Sequence, residues 1–390
     1  MAPPKRIAIL GSTGSIGKSA LNVVKNLAGF EAWAISGMSQ TELLKQQAKE
    51  FSPRFVVAAD DSLDHQITAD DFADVGGGRT TELLTGRQGL IQIASAPEVD
   101  IVLAAIVGFA GLESAMAAVR CGKQLALANK ETLVVAGHLI TSLAKESGTK
   151  ILPVDSEHSA IFQAKLSGQE KEISKVILTA SGGPFRSAPK ESLASVTVEE
   201  ALDHPTWDMG KKISIDSATM MNKALEIIEA KWLFGLAADQ IEVVIHPQSL
   251  VHSMVTFADQ STIAQISPPD MRLPIQYAFT WPDRVPGPAP AMDWSQACQL
   301  DFMPPDFDRF PALRLGFEVA EKGGSSGAVV NAANEAAVDA FLKSELSFTD
   351  IVTACREVLE HHNFEAHPSF EQLVAADRWA REEISKWIAA

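Results

Sequence analysis

Between residues 5 and 154, short apolar runs alternate with stretches in which apolar residues recur every three or four positions. The runs at 7–10, 32–35, 55–58, 101–105, 124–128 and 150–154 predict strands. The spacing over 15–26 and 41–50 predicts helices. Strands alternating with helices imply βαβ units and a mostly parallel sheet. No charge block, low-complexity tract or repeat interrupts the series.

From about residue 156 the rhythm changes. Strands are predicted at 173–178, 241–245 and 249–257. Residues 201–212 form a polar loop with Trp207 and Met209, and a long helix is expected from Asp216 or Ser217, both good N-caps. Seven prolines crowd the next stretch: Pro282, Pro286, Pro288, Pro290, Pro304, Pro305 and Pro311. Such a segment is a semi-extended connector. Beyond it, helical periodicity at 311–322, 327–343, 349–362 and 370–388 predicts a small bundle. The expected fold is α/β, with a parallel-sheet segment over 1–155, a second α/β segment over 156–281, a linker over 282–310 and a small helical bundle over 311–390.

Composition narrows the function classes. A chain of 390 residues is too long for one compact core. Its net charge of −16 argues against nucleic-acid or anionic-membrane binding, while leaving room for one basic pocket for a phosphorylated substrate. Cys121, Cys298 and Cys355 are scattered and odd in number, as expected in a reducing compartment. No signal-like N-terminus or apolar run of about 18 residues appears, so a cytoplasmic protein is expected.

The first strand ends in Gly11-Ser-Thr-Gly14-Ser-Ile-Gly17. Glycines between a strand and a helix permit a tight turn and close approach of a pyrophosphate to the helix N-terminus. The bland alternative is a tight βα turn without a ligand. After the second strand come Ser36, Gly37, Met38, Ser39 and Gln40, with neither an acid for a ribose nor a basic residue for a 2′-phosphate. Ser36, Ser39 and Gln40 could hydrogen-bond a 2′-phosphate.

The chemistry concentrates further on. Pro153-Val-Asp155-Ser156-Glu157-His158 sets two acids at the end of a strand; if the backbone stays extended they point to one side. Such acids need a proton or a cation between them. Asn129, Lys130 and Glu131 close another strand, where a lysine can polarise a carbonyl, or simply be solvated. Ser181, Gly182 and Gly183 suit an anion-binding turn. On a helix from Ser217, Asn222, Lys223 and Glu226 share one face; the plain reading is a solvated ion pair. Together Asp155, Glu157 and Glu226 form a hard-oxygen set for Mg²⁺ or Mn²⁺. Ser181, Ser217, Asn222 and Lys223 suit a phosphate. His158 reads as an outer-shell or packing residue, and His246 and His252 as structural.

Gly11–Gly17, 128–131, 153–163, 181–186, 204–230 and 246–254, with Asn331-Ala-Ala-Asn-Glu335, resemble the 1-deoxy-D-xylulose 5-phosphate reductoisomerase family nearly end to end. This is the fosmidomycin target of the non-mevalonate route to isoprenoids. The resemblance implies a homodimeric oxidoreductase with an N-terminal Rossmann-type dinucleotide domain, a central α/β catalytic domain and a C-terminal helical bundle, which rearranges a metal-held sugar phosphate and reduces the resulting aldehyde with NADPH. It implies Asp155, Glu157 and Glu226 as metal ligands and Lys130 and Ser156 at the substrate's carbonyl end. Ser181, His204, Ser217, Asn222 and Lys223 fall on its phosphate side. Thr13, Gly14, Ser15, Ile16, Gly37, Ser39, Asn129, Glu131 and Gly210 fall on the cofactor, and loop 201–211 on a flexible lid. Many members carry a basic residue and an Asn where this chain has Met38 and Ser39. A metal-dependent sugar-phosphate oxidoreductase without isomerisation, and a non-catalytic dinucleotide sensor, are the competing readings.

Overall fold

The computed structural model describes residues 3–60, 66–72, 80–207 and 209–389. Contacts divide the chain into two units. The first comprises Met1–Asn129, Ile140–Ser156 and Asp270–Pro290; the second comprises Lys130–Leu139, Glu157–Pro269 and Ala291–Ala390.

In the first unit, β1 (Lys5–Leu10), β2 (Phe30–Gly37), β3 (Phe55–Ala58), β4 (Glu82–Thr85), β5 (Ile101–Ala104), β6 (Gln124–Leu127) and β7 (Ile151–Pro153) form a seven-stranded sheet. Every pairing is parallel, in the order β4-β3-β2-β1-β5-β6-β7. The connecting helices are α1 (Ser15–Asn26), α2 (Thr41–Phe51), α3 (Gly86–Ser95), α4 (Leu112–Arg120) and α5 (Glu131–Ser147). Parallel strands covered on both faces need continuous apolar runs. Ile7, Ala8, Ile9 and Leu10 are accordingly fully buried, each large side chain stabilising the fold by about 1.5–3 kcal/mol. The chain winds outward from β1 in one direction through β2, and in the other through β5. That reversal opens a crevice beyond the carboxyl ends of β1 and β5, where doubly wound sheets bind ligands.

The short edge strand β4 was not predicted; Glu-Leu-Leu-Thr carries too little pattern to announce itself. Helix α5 leaves helical geometry at Ala136 (φ −128°, ψ 29°), and its first residues group with the second unit.

The second unit contains α6 (Ser156–Ala164), β8 (Ile173–Ala180), α7 (Val198–Leu202), α8 (Lys211–Ala218), α9 (Met221–Phe234), β9 (Ile241–Ile245), β10 (Val251–Phe257) and β11 (Thr262–Ile266). Its sheet runs β11-β10-β8-β9; β8 and β9 are parallel, and β10 is antiparallel to β8 and β11. The exposed edge strand β11 also went unpredicted.

Helix α10 (Arg272–Thr280) returns to the first unit and packs on α1. Gln124 donates to the Ala278 carbonyl there (2.7 Å). Residues 270–281 were expected with the central segment; their contacts lie instead with the parallel sheet.

The C-terminal helices α11 (Ala312–Lys322), α12 (Ser326–Leu342), α13 (Phe348–His361) and α14 (Phe370–Ala389) occupy the four stretches where periodicity placed them. Their buried faces join those of α8 and α9. Ile215, Leu225 and Ile228 share one apolar cluster with Leu315, Val330 and Leu359. Helix α11 lies so close to α9 that a Cβ on Gly316 would come within 2.6 Å of the Ala224 Cα.

Candidate active site

The turn between β1 and α1 is built from backbone and small side chains. Gly11 has φ +88°, and a Cβ there would meet the Ala105 carbonyl oxygen at 2.8 Å. At Gly17 a Cβ would lie 2.3 Å from the Gly11 oxygen. Gly14, by contrast, is exposed and caps α1 without a side-chain hydrogen bond. The open end of α1 therefore presents its N–H groups and positive dipole end. Ser36, expected to offer its hydroxyl to a 2′-phosphate, is turned into the chain instead. It is buried, and its Oγ accepts from the Gly11 N–H (2.9 Å). The buried Ser12 hydroxyl donates to Gln47 Oε1 (2.7 Å), and Gln40 donates to the Thr13 carbonyl (3.3 Å). Met38 and Ser39 are exposed. Asn129 is buried and donates from Nδ2 to the carbonyls of Gly108 (2.9 Å) and Ile106, so it shapes the loop after β5.

The carboxylates and lysines of the second unit converge. The predicted single helix from Asp216 or Ser217 is in fact two: α8 ends at Ala218, Met220 adopts φ +62°, and α9 starts at Met221. Asp216 and Ser217 are thus the last turn of α8, not caps. The break lets α9 begin with Asn222, Lys223 and Glu226, and these do not form a solvated face. Lys223 is 3% exposed and Glu226 1%.

Glu226 is the hub of this group. Its Oε1 accepts from Lys130 Nζ (3.0 Å) and Asn222 Nδ2 (2.6 Å), and Lys223 Nζ bonds its Oε2. Lys130 also donates to Asn222 Oδ1 (2.6 Å). Lys223 reaches Glu157 Oε1 as well (2.9 Å), and the Glu157 and Glu226 carboxylates offer oxygens within 4.8 Å of one another. Burial opposes the charge on Lys223, but Glu157 and Glu226 outweigh it and raise its pKa. Charges this deep persist only when paired.

The strand β7 ends at Pro153, and α6 begins at Ser156. The backbone is therefore not extended from Asp155 to Glu157, as the alternation argument required. Asp155 directly precedes α6, whose first turn carries Ser156 and Glu157. His158 lies fully buried behind it, donating from Nε2 to the Glu226 carbonyl (3.1 Å) and stacking on Phe234. Its Nδ1 lies 3.3 Å from Glu229 Oε2, so the ring is paired with a buried carboxylate as well as packed. His246 is equally structural: Nδ1 donates to the Asp301 carbonyl (2.8 Å), and Nε2 accepts from the N–H groups of Leu250 and Val251. His252 lies 3.2 Å from the Ser267 carbonyl through Nε2.

Residues 203–207 and 209–210 join α7 to α8; residues 201–202 and 211 of the expected lid are helical, and Asp208 lies outside the described residues. His204 Nδ1 accepts from the N–H groups of Thr206 (3.2 Å) and Trp207 (3.0 Å). Nδ1 is therefore unprotonated, and Nε2 carries the proton it donates to Ser181 Oγ (3.1 Å). Burial, aided by the Arg186 charge, lowers the His204 pKa and keeps this neutral form. Ser181 Oγ also accepts from the Gly183 N–H (3.2 Å), which leaves its own proton for a ligand. Ser217 and Asn222 are half-buried, and Gly210 is exposed.

Glu131 is buried and accepts from Lys212 Nζ (2.7 Å). Burial would raise its pKa; the Lys212 charge and hydrogen bond prevail and lower it. Sequence reasoning missed Lys212. Its spacing to Asp216 was visible, but the loop was expected to run through it.

Comparison with known proteins adds a second line. Family models of 1-deoxy-D-xylulose 5-phosphate reductoisomerase match residues 7–137 and, for the C-terminal domain, 151–234. A further DXP reductoisomerase C-terminal domain model matches 266–383. The 1-deoxy-D-xylulose 5-phosphate reductoisomerase of Rhodopirellula baltica is 49% identical over 97% of this chain and 94% of its own. That of Pseudomonas aeruginosa is 48% identical, over 100% and 99%. The solved Zymomonas mobilis reductoisomerase in complex with NADPH superposes with a TM-score of 0.90 at 42% identity, over 99% of this chain and 100% of that one. A DOX-P reductoisomerase structure with NADPH, fosmidomycin and magnesium gives 0.92 at 40% identity, over 99% and 98%.

Proposed function

The chain belongs to the 1-deoxy-D-xylulose 5-phosphate reductoisomerase family, and from that premise we infer how its own residues carry the reaction. The reaction converts 1-deoxy-D-xylulose 5-phosphate into 2-C-methyl-D-erythritol 4-phosphate by skeletal rearrangement followed by hydride transfer from NADPH.

We assign the divalent cation, Mg²⁺ or Mn²⁺, to Asp155, Glu157 and Glu226. All three donors are carboxylates, the hard-oxygen chemistry these ions select. When bound, the ion supplies Lewis-acid stabilisation of negative charge on the substrate oxygens. The observation that carries the reading is the convergence on buried Glu226 of Lys130, Asn222 and Lys223, with Lys223 also holding Glu157. Two ammonium groups on a carboxylate are poised to turn toward an incoming anion once that carboxylate has another cation.

Lys130 and Ser156 orient the carbonyl end of the substrate. Ser181, His204, Ser217, Asn222 and Lys223 form the phosphate cradle. In it, neutral His204 saturates the Ser181 oxygen, so that the hydroxyl gives its proton to a phosphate oxygen. The residues 203–207 and 209–210, with Trp207, cover the site and keep water from the aldehyde. The NADPH pyrophosphate lies at the open α1 terminus, against Thr13, Gly14, Ser15 and Ile16. Gly37 and Ser39 line the adenosine side, and Asn129, Glu131 and Gly210 the nicotinamide side, with Asn129 acting through the loop it shapes. Neither Met38 nor Ser39 offers a charge to the 2′-phosphate, so the grip on that group is weak.

By this reading, residues 1–155 serve the cofactor, 156–269 the metal, substrate and dimer contacts, 282–310 the link, and 311–390 the support of α8 and α9. We further propose a homodimer in the cytoplasm. The free thiols of Cys121, Cys298 and Cys355 support a reducing compartment. No helix among the described residues is long and apolar enough to cross a membrane.

The test is product analysis after incubation with 1-deoxy-D-xylulose 5-phosphate, NADPH and Mg²⁺. Methylerythritol phosphate should appear in step with NADPH loss. Use of the rearranged aldehyde alone, with no turnover of the ketose, would sink the isomerase half. Glu226→Gln should lower kcat on the order of 10³-fold while NADPH affinity, read by nicotinamide fluorescence, stays unchanged.

A further inference from the structure

We propose that Lys212 is a positioning residue for the reaction: its ammonium ties the first turn of α8 to the Glu131 carboxylate and so holds residues 209–210, which lead into α8, against the segment that carries Lys130. The inference rests on the reading that Lys130 and the residues of that loop serve the substrate.

Lys212 makes two ion pairs, with Glu131 (2.7 Å) on α5 and with Asp216 (2.9 Å) one turn along α8. The carboxylates are 6% and 2% exposed. Burial works against a charged Lys212, but the two acids overcome it and raise its pKa. The other oxygen of Asp216 accepts from Asn334 Nδ2 (2.8 Å), which is fully buried on α12. Glu335, the next residue, also faces Lys212 electrostatically, and is itself held by Arg381 (2.6 Å) and Asn331 (3.0 Å). The Asn331-Ala-Ala-Asn-Glu335 motif thus has a use: it braces Asp216 and places one more negative charge toward the Lys212 ammonium.

The consequence is mechanical. Residues 205–207 and 209–210 lie between two anchors, His204 on Ser181 and Lys212 on Glu131. Glu131 directly follows Lys130, whose ammonium sits on Glu226. Without Lys212, two buried acids face each other with no cation between them. They then separate or take up a proton. Either response releases α8 from the Lys130 segment, and a displacement of about 1 Å at a reacting group costs roughly 100-fold in rate.

Lys212→Met, Lys212→Arg and Lys130→Ala are compared in the full-length chain by steady-state kinetics and by amide hydrogen exchange over 203–207. Lys212→Met should lose roughly 100-fold in kcat, more than its substrate KM rises, and exchange in the loop should accelerate roughly tenfold. Lys212→Arg, which keeps the cation, should restore most of both. Because Lys212→Met can unfold the chain through the repulsion of its acids, Asp216→Asn/Lys212→Met is measured beside it. That pair removes the repulsion but not the loss of the tie, so kcat should stay low and exchange fast. Wild-type kcat and exchange in either variant, with Lys130→Ala inactive, would overturn the tie and leave the site assignment standing. Full activity in Lys130→Ala would remove the premise, and the tie with it.

Discussion

The glycine turn of the first unit and the lysine–carboxylate cluster of the second solve opposite problems. Gly11, Gly14 and Gly17 make room by leaving things out: two positions where no Cβ fits, and one open helix end. The cluster instead gathers charge around Lys223 and Glu226, which are almost fully buried, so that each group depends on its partners. The turn lies within seven consecutive residues. In the cluster, Lys130 and Glu226 are 96 positions apart, and Glu157 and Lys223 are 66. A local motif tolerates damage elsewhere in the chain. A buried polar network fails as a unit, because each lost partner leaves another charge unpaired.

The sharpest way to break the contrast is Lys223→Met. It strands Glu157 and Glu226 beside each other, and should cost about 3–5 kcal/mol of stability by denaturant unfolding, besides abolishing turnover. A loss under about 1 kcal/mol, on the scale of an exposed pair, would mean that the cluster is solvated after all.

Gly17→Ala probes the other region. The new Cβ must push back the Gly11 and Ser12 backbone, at a cost of about 1–3 kcal/mol. NADPH affinity should fall while kcat at saturating NADPH is largely kept. Equal losses in both would show that the two regions are energetically one.

The smallest effect concerns pH. His204 ordinarily titrates near 6.5, and burial lowers that value in the folded chain. Stability from the neutral ring is full above 6.5 and declines as pH falls toward the lowered folded value. There Nδ1 gains a proton and must release the Thr206 and Trp207 N–H groups. Hydrogen exchange at these two amides, corrected for its intrinsic pH dependence, should rise only below pH 6.5. A step above 6.5 would contradict the assigned tautomer.

How much of this was legible in advance differed between the regions for the same physical reason. The helix at residues 15–26 and the strands at 55–58 and 241–245 were placed to the residue, since periodicity and bounding glycines are local signals. The short edge strands β4 and β11 were not, because edge pairing asks little of side chains. The start of α9 was misplaced because capping side chains at Asp216 and Ser217 outweighed any sign of the left-handed turn at Met220. The polar face of α9 looked solvated because spacing reports which residues share a face, not what covers it.

From sequence alone came the alternation of strands and helices, the turn after β1, the identities of the acids and lysines, and the resemblance that ties them to one reaction. Only the tertiary structure decided that Lys223 and Glu226 are buried, that Ser36 faces inward, that His204 is neutral with its proton on Nε2, and that Lys212 joins α8 to α5. Those outcomes depend on burial and on partners distant along the chain. Burial decides whether an ion pair costs almost nothing or several kcal/mol to break, and it is a property of the folded chain rather than of any segment.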